Sequence, residues 1–218
     1  ENGETKFKLS TPIEGKVIRL ELNGSEPNYE SRVYQEPIII DTSRIIKAIV
    51  YNFNEKEKLG STYTQKINYH KAVGKKIAID KKPHKSYPGS GAEGLINGIL
   101  GSDKRYGDKE WLGFWGEDIE IIIDLGEETE IKDIKTRFHN GQGQWIYAPR
   151  HINISLDNND WSLVSVPESE DILIPVSLLV KNRAKTIRLK IPNYGIITEG
   201  KQGAGHKAWT FIDEIIVN

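Results

Sequence analysis

Side chains suited to chemistry occur in a few places along this chain. Trp111 and Trp115 flank Phe114 in KEWLGFWGED, residues 109 to 118, and Trp145 ends the Gly-rich stretch HNGQGQW, residues 139 to 145. A flat partner could land on an exposed aromatic plate, and such a site also needs directional donors and acceptors beside it. His139 and Asn140 answer the second need, and because they follow the inward Phe138 they open a loop at one end of a sheet. The remaining group is the carboxylate pair of WTFIDEIIV. Along an alternating strand, either Asp213 joins Trp209, Phe211 and Ile215, or Glu214 joins Ile212 and Ile216. A carboxylate buried without a partner costs several kcal/mol unless it protonates or meets a cation.

Other chemistries lack their residues. The chain has no cysteine, hence no disulfide framework and no thiolate. Neither HExxH nor GxSxG occurs, and no pair of carboxylates can be placed across a scissile bond from sequence alone. GAGHKA, residues 203 to 208, imitates a dinucleotide loop but precedes a strand instead of a helix, which is the wrong context. Thirty basic residues against thirty-one acidic ones give no field to gather nucleic acid or an anionic membrane. The Lys-rich run KKIAIDKKPHKSY, residues 75 to 87, reads as a solvated linker. No apolar stretch approaches the roughly 18 residues of a membrane span; DILIPVSLLV comes nearest and contains Pro175. The opening ENGETKFKLS has no signal-peptide pattern and the chain has no methionine, so a piece of a longer protein is expected.

Strand signals position these residues. KVIRLEL (16 to 22), PIIID (37 to 41), RIIKAIVYNF (44 to 53) and STYTQKINY (61 to 69) are short, β-branched and bounded by turn formers. NGSEP, residues 23 to 27, supplies a tight turn. Asn23 and Asn153 each open a glycosylation sequon, with simpler turn and strand readings. Residues 71 to 92 lose alternation and run into HKSYPGSGAEG, which reads as a domain seam. Two units, 1–72 and 73–218, are therefore expected, with IAI (77 to 79) as the first strand of the second. Further strands are IEIIIDL with Ile119, Ile121, Ile123 and Leu125 inward, KDIKTRF with Ile134, Thr136 and Phe138 inward, HINISL, LVSV, TIRLKI and WTFIDEIIV. The fold class is all-β, two sandwiches in series.

Two stretches carry a family resemblance. LELNGSEPNYESRVYQEPIIIDTSRIIKAIVYNFNEKEKLGSTYTQKINY resembles the small immunoglobulin-like module that follows the catalytic domain of chitobiases and β-N-acetylhexosaminidases, with Asn23 where that module usually has an aspartate. GLINGILGSDKRYGDKEWLGFWGEDIEIIIDLG, WIYAPRHINISLDNNDW and KAWTFIDEIIVN resemble a discoidin-like domain of the coagulation factor type C, galactose-binding-like jelly-roll kind. It is similar to the versions that close bacterial glycoside hydrolase family 20 enzymes and is related to family 32 carbohydrate-binding modules. The resemblance implies a non-catalytic, extracytoplasmic accessory region that targets an upstream β-N-acetylhexosaminidase domain to glycans of galactose or N-acetylhexosamine type. The alternative is a structural module that braces or spaces that domain without binding sugar.

The resemblance also implies site residues. Family 32 modules commonly hold sugar with a His, a basic residue, an Asn and an aromatic at one end of the sandwich. Arg137, His139, Asn140 and Trp145 supply such a set, with Tyr147, Trp115 and His206 nearby. Trp111 stands where the resembling domains pack an aromatic beneath the loop, so it is expected in the core. A structural calcium is implied where LINGILGSD meets DEIIV. Calcium takes six to eight hard oxygens, and Asn97, Asp103 and Asp108 with Glu214 are the candidate ligands, Asn97 replacing the family's aspartate.

Overall fold

A computed structural model describes residues 5–52 and 56–218, so Phe53, expected at the end of a strand, lies outside the described residues. The chain divides into two compact units, Glu1–His70 and Lys71–Asn218. The first contains β1 (Thr5–Phe7), β2 (Lys16–Glu21), β3 (Arg32–Val33), β4 (Ile38–Ile40), β5 (Arg44–Asn52) and β6 (Glu57–Ile67). A four-stranded sheet in the order β3-β2-β5-β6 accompanies the pair β1-β4, giving a small two-sheet sandwich. In β5 a register shift between Ala48 and Val50 switches the buried parity, so Ile46 and Ala48 are followed inward by Ile49 and Tyr51. In the NGSEP turn Gly24 adopts φ 83° and Asn23 Oδ1 accepts the Ser25 N–H at 3.0 Å, the turn that the dipeptide favours.

The second unit contains β7 (Lys76–Ile79), β8 (Leu112–Trp115), β9 (Ile119–His139), β10 (His151–Leu156), β11 (Ser162–Ser165), β12 (Leu173–Ile191) and β13 (Trp209–Val217). Short 3₁₀ turns at Ala92–Ile96 and Gln142–Gln144 interrupt its loops. The stretches IEIIIDL and KDIKTRF, expected as separate strands, are two halves of the 21-residue β9. The expected strand TIRLKI and residues 173–180 of the apolar stretch DILIPVSLLV likewise share the 19-residue β12. These two long strands pair antiparallel from Leu173↔His139 to Ile191↔Ile119, with irregularities between Leu179 and Asn182 and between Ala184 and Thr186.

Those irregularities let one hairpin serve both layers of a sandwich. The first half of β9 and the second half of β12 lie with β7, β10 and β11, while the opposite halves lie with β13 and β8. Ile121, Ile123, Ile154 and Leu189 of one layer share a single core with Ile134, Phe138, Ile174, Ile212 and Ile215 of the other. Pro175 is tolerated because that half of β12 pairs only with β9 and is an edge, where no ladder hydrogen bond from its nitrogen is required. The inward residues expected in β9 are buried, Ile119, Ile121, Ile123, Leu125, Ile134, Thr136 and Phe138 alike.

The alternation yields a paired test. Ile121→Ala removes a fully buried side chain and is expected to destabilise the second unit by about 2–5 kcal/mol. Ile122→Ala, on the opposite face and 38% exposed, is expected to cost under about 1 kcal/mol. Urea denaturation midpoints measure both, and equal losses would contradict the facing of β9.

Candidate ligand-binding site

At one end of the second unit the loop between β9 and β10, the segment between β11 and β12 and the long connection from β12 to β13 converge. Their meeting is fixed by backbone. Trp209 at the start of β13 pairs with Trp115 at the end of β8, its N–H donates to Trp145 O at 2.8 Å, and its own carbonyl accepts the Tyr147 N–H at 3.1 Å. Residues 145 to 147 thus run alongside the start of β13 and carry their side chains with it. Trp145 closes the Gln142–Gln144 turn with φ 63°, a left-handed conformation unusual for a bulky residue.

The aromatic side chains here pack largely on one another. The Trp145 ring stacks on His206 at 4.4 Å and 16°, and lies 6.4 Å and 29° from Trp115. Gly203 also approaches Trp145 closely, since a Cβ there would stand 2.4 Å from the indole. Trp209 meets His84 and Tyr87 edge to face, at 5.0 and 5.4 Å. Trp115 and Trp145 are half-buried, and only His206 of the stack is exposed.

Beside the stack opens a cavity of about 450 Å³. Tyr147 and Tyr194 line it with ring centres 4.8 Å apart, joined by Gln142, Arg150, Glu168, Ser169, Thr198 and Lys201. The Arg150 guanidinium stands over the Tyr194 ring at 4.7 Å, and the Lys201 ammonium is 5.5 Å from that ring and 5.9 Å from Tyr147. Lys201 also pairs with Glu168 at 3.0 Å. Burial pushes the Tyr194 hydroxyl up, but hydrogen bonds with Thr198, Arg150 and Lys201 and the Lys201 charge prevail and hold its pKa below that of an ordinary tyrosine. Burial raises Tyr147, whose hydroxyl donates to Gln202 O at 2.8 Å. Asn140 fixes the floor: its amide donates to Ser169 O and Asp171 O at 2.9 and 3.1 Å, and its oxygen accepts the Ala148 N–H at 3.3 Å.

The candidate sugar residues therefore separate. Asn140 and Tyr147 line the cavity, while Trp115, Trp145 and His206 form the neighbouring stack. Arg137 and His139 do neither, which corrects the expectation that they reach a ligand. The loop 97 to 111 folds across their side of β9 and covers them. His139 is 3% exposed, its ring edge-on to Trp111 and Tyr106 at 5.4 and 5.3 Å, and its Nδ1 accepts the Gly141 N–H. Burial and then the Arg137 charge keep its pKa below the usual histidine value. Trp111 is buried beneath that loop as expected, with Nε1 donating to Ser102 O at 3.1 Å, and Phe114 is buried as well. Arg150, Glu168, Tyr194 and Lys201 escaped the sequence reading. Their only signal is a tyrosine within the loop PNYGIITEGK and an arginine after YAP.

The acidic pair of β13 has its own environment under the same loop. A register shift between Ile212 and Ile215 inserts an extra residue, so strict alternation fails and both Asp213 and Glu214 are buried. Arg137 answers Asp213: Nε and one terminal nitrogen reach Asp213 Oδ2 at 2.7 Å, the guanidinium also reaches Asp103 Oδ1 at 2.7 Å, and it donates to Gly101 O. The Gly98 N–H donates to Glu214 Oε1 at 2.8 Å, and the Asn97 amide donates to Glu110 Oε2 at 2.8 Å. Burial, then the charges of Asp213 and Glu110, pushes Glu214 well above the usual carboxylate range. Burial also raises Glu110, with Asp108 and Asp213 adding to the rise against the Asn97 hydrogen bond.

Of the four candidate metal ligands, then, Asn97 and Glu214 come to one place, joined by Glu110. Asp103 is taken by Arg137, and Asp108 accepts the N–H groups of Ser102, Glu110 and Trp111, so these two do not fit as expected. Among the described residues no three His, Cys, Asp or Glu side chains are grouped as for a metal ion. The carboxylate oxygens of Glu110 and Glu214 suit calcium in type, and Asn97 Oδ1, which accepts the Ile99 N–H at 2.7 Å, keeps one lone pair.

A family model described as the chitobiase/β-hexosaminidase C-terminal domain matches residues 2–64, within the first unit. No curated protein matches the chain. Solved structures with a similar fold include a fucose-binding module of Streptococcus pneumoniae, SpX-3, at 14% identity and TM-score 0.44, covering 69% of this chain and 97% of that one. A chitosan-binding module from the chitosanase/glucanase of Paenibacillus sp. IK-5 aligns at 15% identity and TM-score 0.41, over 69% of this chain and 99% of that one. The family 32 module of AlyQ, in complex with 4,5-unsaturated mannuronic acid, aligns at 18% identity and TM-score 0.39, over 66% and 93%. At these scores nothing about ligands passes from those proteins to this one.

The raised Glu110 has a consequence for stability. A carboxyl whose folded pKa exceeds its unfolded value contributes stability that is fully present below the ordinary value of 4.5 and is lost as pH rises through the folded value. His139, whose pKa is lowered, acts in the opposite sense, and so does His70, lowered to about 4 by burial: their contribution is present above 6.5 and lost as pH falls. The Glu110 contribution is therefore read from a difference. In chelator-treated buffer, Glu110→Gln is expected to gain in Tm over the parent chain as pH rises from 5 to 7.5. A difference independent of pH would contradict the strained carboxylate.

Proposed function

We propose that the second unit is a non-catalytic carbohydrate-binding module, and that the chain serves as the accessory region of a secreted bacterial β-N-acetylhexosaminidase, which it holds near glycans. The observation that carries this reading is the cavity whose Tyr147 and Tyr194 rings sit beside Gln142, Arg150, Glu168 and Lys201. It joins the half-buried Tyr194 ring, backed by the buried Tyr147, to directional donors and acceptors at one end of a sandwich, the combination that a polyhydroxylated ring requires. The match of the first unit to the chitobiase/β-hexosaminidase C-terminal domain supports the parent enzyme.

The proposal assigns no hydrolysis to this chain. Glycoside hydrolysis ordinarily uses two carboxylates flanking the scissile bond, and Glu168 is the sole carboxylate lining the cavity among the described residues. Binding alone is useful through tethering. A millimolar single site contributes only about 4 kcal/mol, but linkage to a catalytic domain turns each later encounter into an intramolecular one.

A glycan array probed with the 218-residue chain tests the reading. Galactose and N-acetylhexosamine glycans are expected among the hits, and Tyr194→Ala is expected to weaken any hit by about tenfold or more in titration. Trp145→Ala, which removes the adjoining stack, is expected to weaken it less. A blank array, with the protein folded, would overturn the proposal.

A structural calcium belongs to the same proposal, narrowed to Asn97, Glu110 and Glu214. Its charge would stabilise carboxylates that burial and mutual repulsion otherwise disfavour, and so tie the loop 97 to 111 to β13. Calcium at a hundredfold excess over its Kd is expected to stabilise the second unit by about 2.7 kcal/mol, read as a rise in Tm that chelator reverses and Glu110→Gln abolishes. An unchanged Tm would remove calcium from the proposal.

A further inference from the structure

The charges that line the cavity are unequal. Arg150 and Lys201 are cationic, and Glu168 is the only lining carboxylate among the described residues. Glu168 is held by Lys201 at 3.0 Å, yet its side chain is 90% exposed. Exposed pairs of this kind contribute little and exchange readily. Arg150 is exposed and makes no ion pair among the described residues; its guanidinium is placed by the Tyr194 ring at 4.7 Å. The Lys201 ammonium stands 5.5 Å from that ring, so both cationic heads border one aromatic wall.

A neutral sugar needs no such pair. Its hydroxyls would leave the net positive charge of Arg150 and Lys201 unanswered, and of the neutral lining groups the Ser169 and Tyr147 hydroxyls are already engaged with Asp171 and Gln202 O. A planar carboxylate, in contrast, matches the two parallel N–H groups of a guanidinium, and a charge-assisted bond of this kind is about twice as strong as a neutral one. The apolar wall asks for a ligand with a body, since Tyr147, Tyr194, Val166 and Ile174 would meet nothing in a bare inorganic anion. The cavity volume of about 450 Å³ falls within the range of roughly 300–1,000 Å³ typical of small-molecule sites.

We infer that this cavity selects acidic saccharides, with a uronate carboxylate received by Arg150 and Lys201 and the sugar ring set against Tyr194. The inference rests on the carbohydrate-binding reading above and adds the class of sugar. Ligand entry displaces Glu168 from Lys201, which exchanges one carboxylate partner for another without leaving the ammonium bare.

The experiment uses chemically matched pairs. Di- and trisaccharides containing glucuronate or galacturonate are titrated into the full chain by calorimetry, each against its own methyl ester, which keeps the shape and removes the charge. The acid is expected to bind about tenfold or more tightly than the ester, to weaken as sodium chloride is raised, and to lose that advantage in Arg150→Gln. Arg150 is exposed, so its replacement leaves the core untouched, and Lys201→Gln provides a second variant with the same expected loss. Esters or neutral oligosaccharides that bind as tightly as the acids, with Arg150→Gln without effect, would overturn the selectivity and leave the carbohydrate-binding module standing. Failure of acids, esters and neutral sugars alike would overturn both.

Discussion

Two adjacent carboxylates inside a strand impose the constraint on which this end of the second unit depends. Strict alternation would send Asp213 and Glu214 to opposite faces, one into the apolar core and one outward. The extra residue in β13 between Ile212 and Ile215 avoids this by directing both under the loop 97 to 111. The cost of burial is then met locally, by the Arg137 guanidinium and by N–H groups of Gly98 and Gly101. A loop that supplies those donors cannot also move freely. It settles on β9 and β13, covers Trp111 and His139, and fixes what remains accessible.

Arg137 has a further part in this arrangement. Its five donors reach two carboxylates and the Gly101 carbonyl at once, which an ammonium could not do with the same geometry. The guanidinium therefore acts as an internal cross-link between β9, β13 and the loop. Burial raises Asp213 even against this cation, as it raises Glu110, and Glu214 is held well above the usual carboxylate range. Asp213 differs from Glu110 and Glu214 in its direct ion pair with a buried guanidinium.

The sequence made the strands legible because burial is one-sided and alternation is strong, as in Ile119, Ile121, Ile123 and Leu125. It did not reveal that β9 and β12 each continue through both layers. The joint residues Gly126 to Glu130 and Lys181 to Lys185, apart from the buried Ala184, are mostly polar and read as breaks, although pairing resumes across them. Candidate sugar residues were legible as a neighbourhood and not as individuals. HNGQGQW borders the cavity through Asn140 and Gln142, yet alternation alone could not say that a distant loop would cover His139 and Arg137. Tyr194 and Lys201 had no periodic signal at all, since loops are positioned by tertiary hydrogen bonds such as Ala208 N–H to Gly195 O and Ile197 N–H to His206 O.

The site thus divides into parts with different obligations. Asn140 and Tyr147 are buried and spend their polar atoms on Ser169, Asp171, Ala148 and Gln202, so they hold the cavity's shape. The Trp115, Trp145 and His206 stack braces one side. Arg150, Glu168 and Lys201 stand on loops with their charged heads toward solvent or one another, and contribute little to the core. Substitution among them changes the charge of the cavity without disturbing the aromatic wall or the sandwich beneath it. In the proposed module, selectivity is consequently assigned to a few loop side chains, and the shape of the cavity to residues that the fold itself requires.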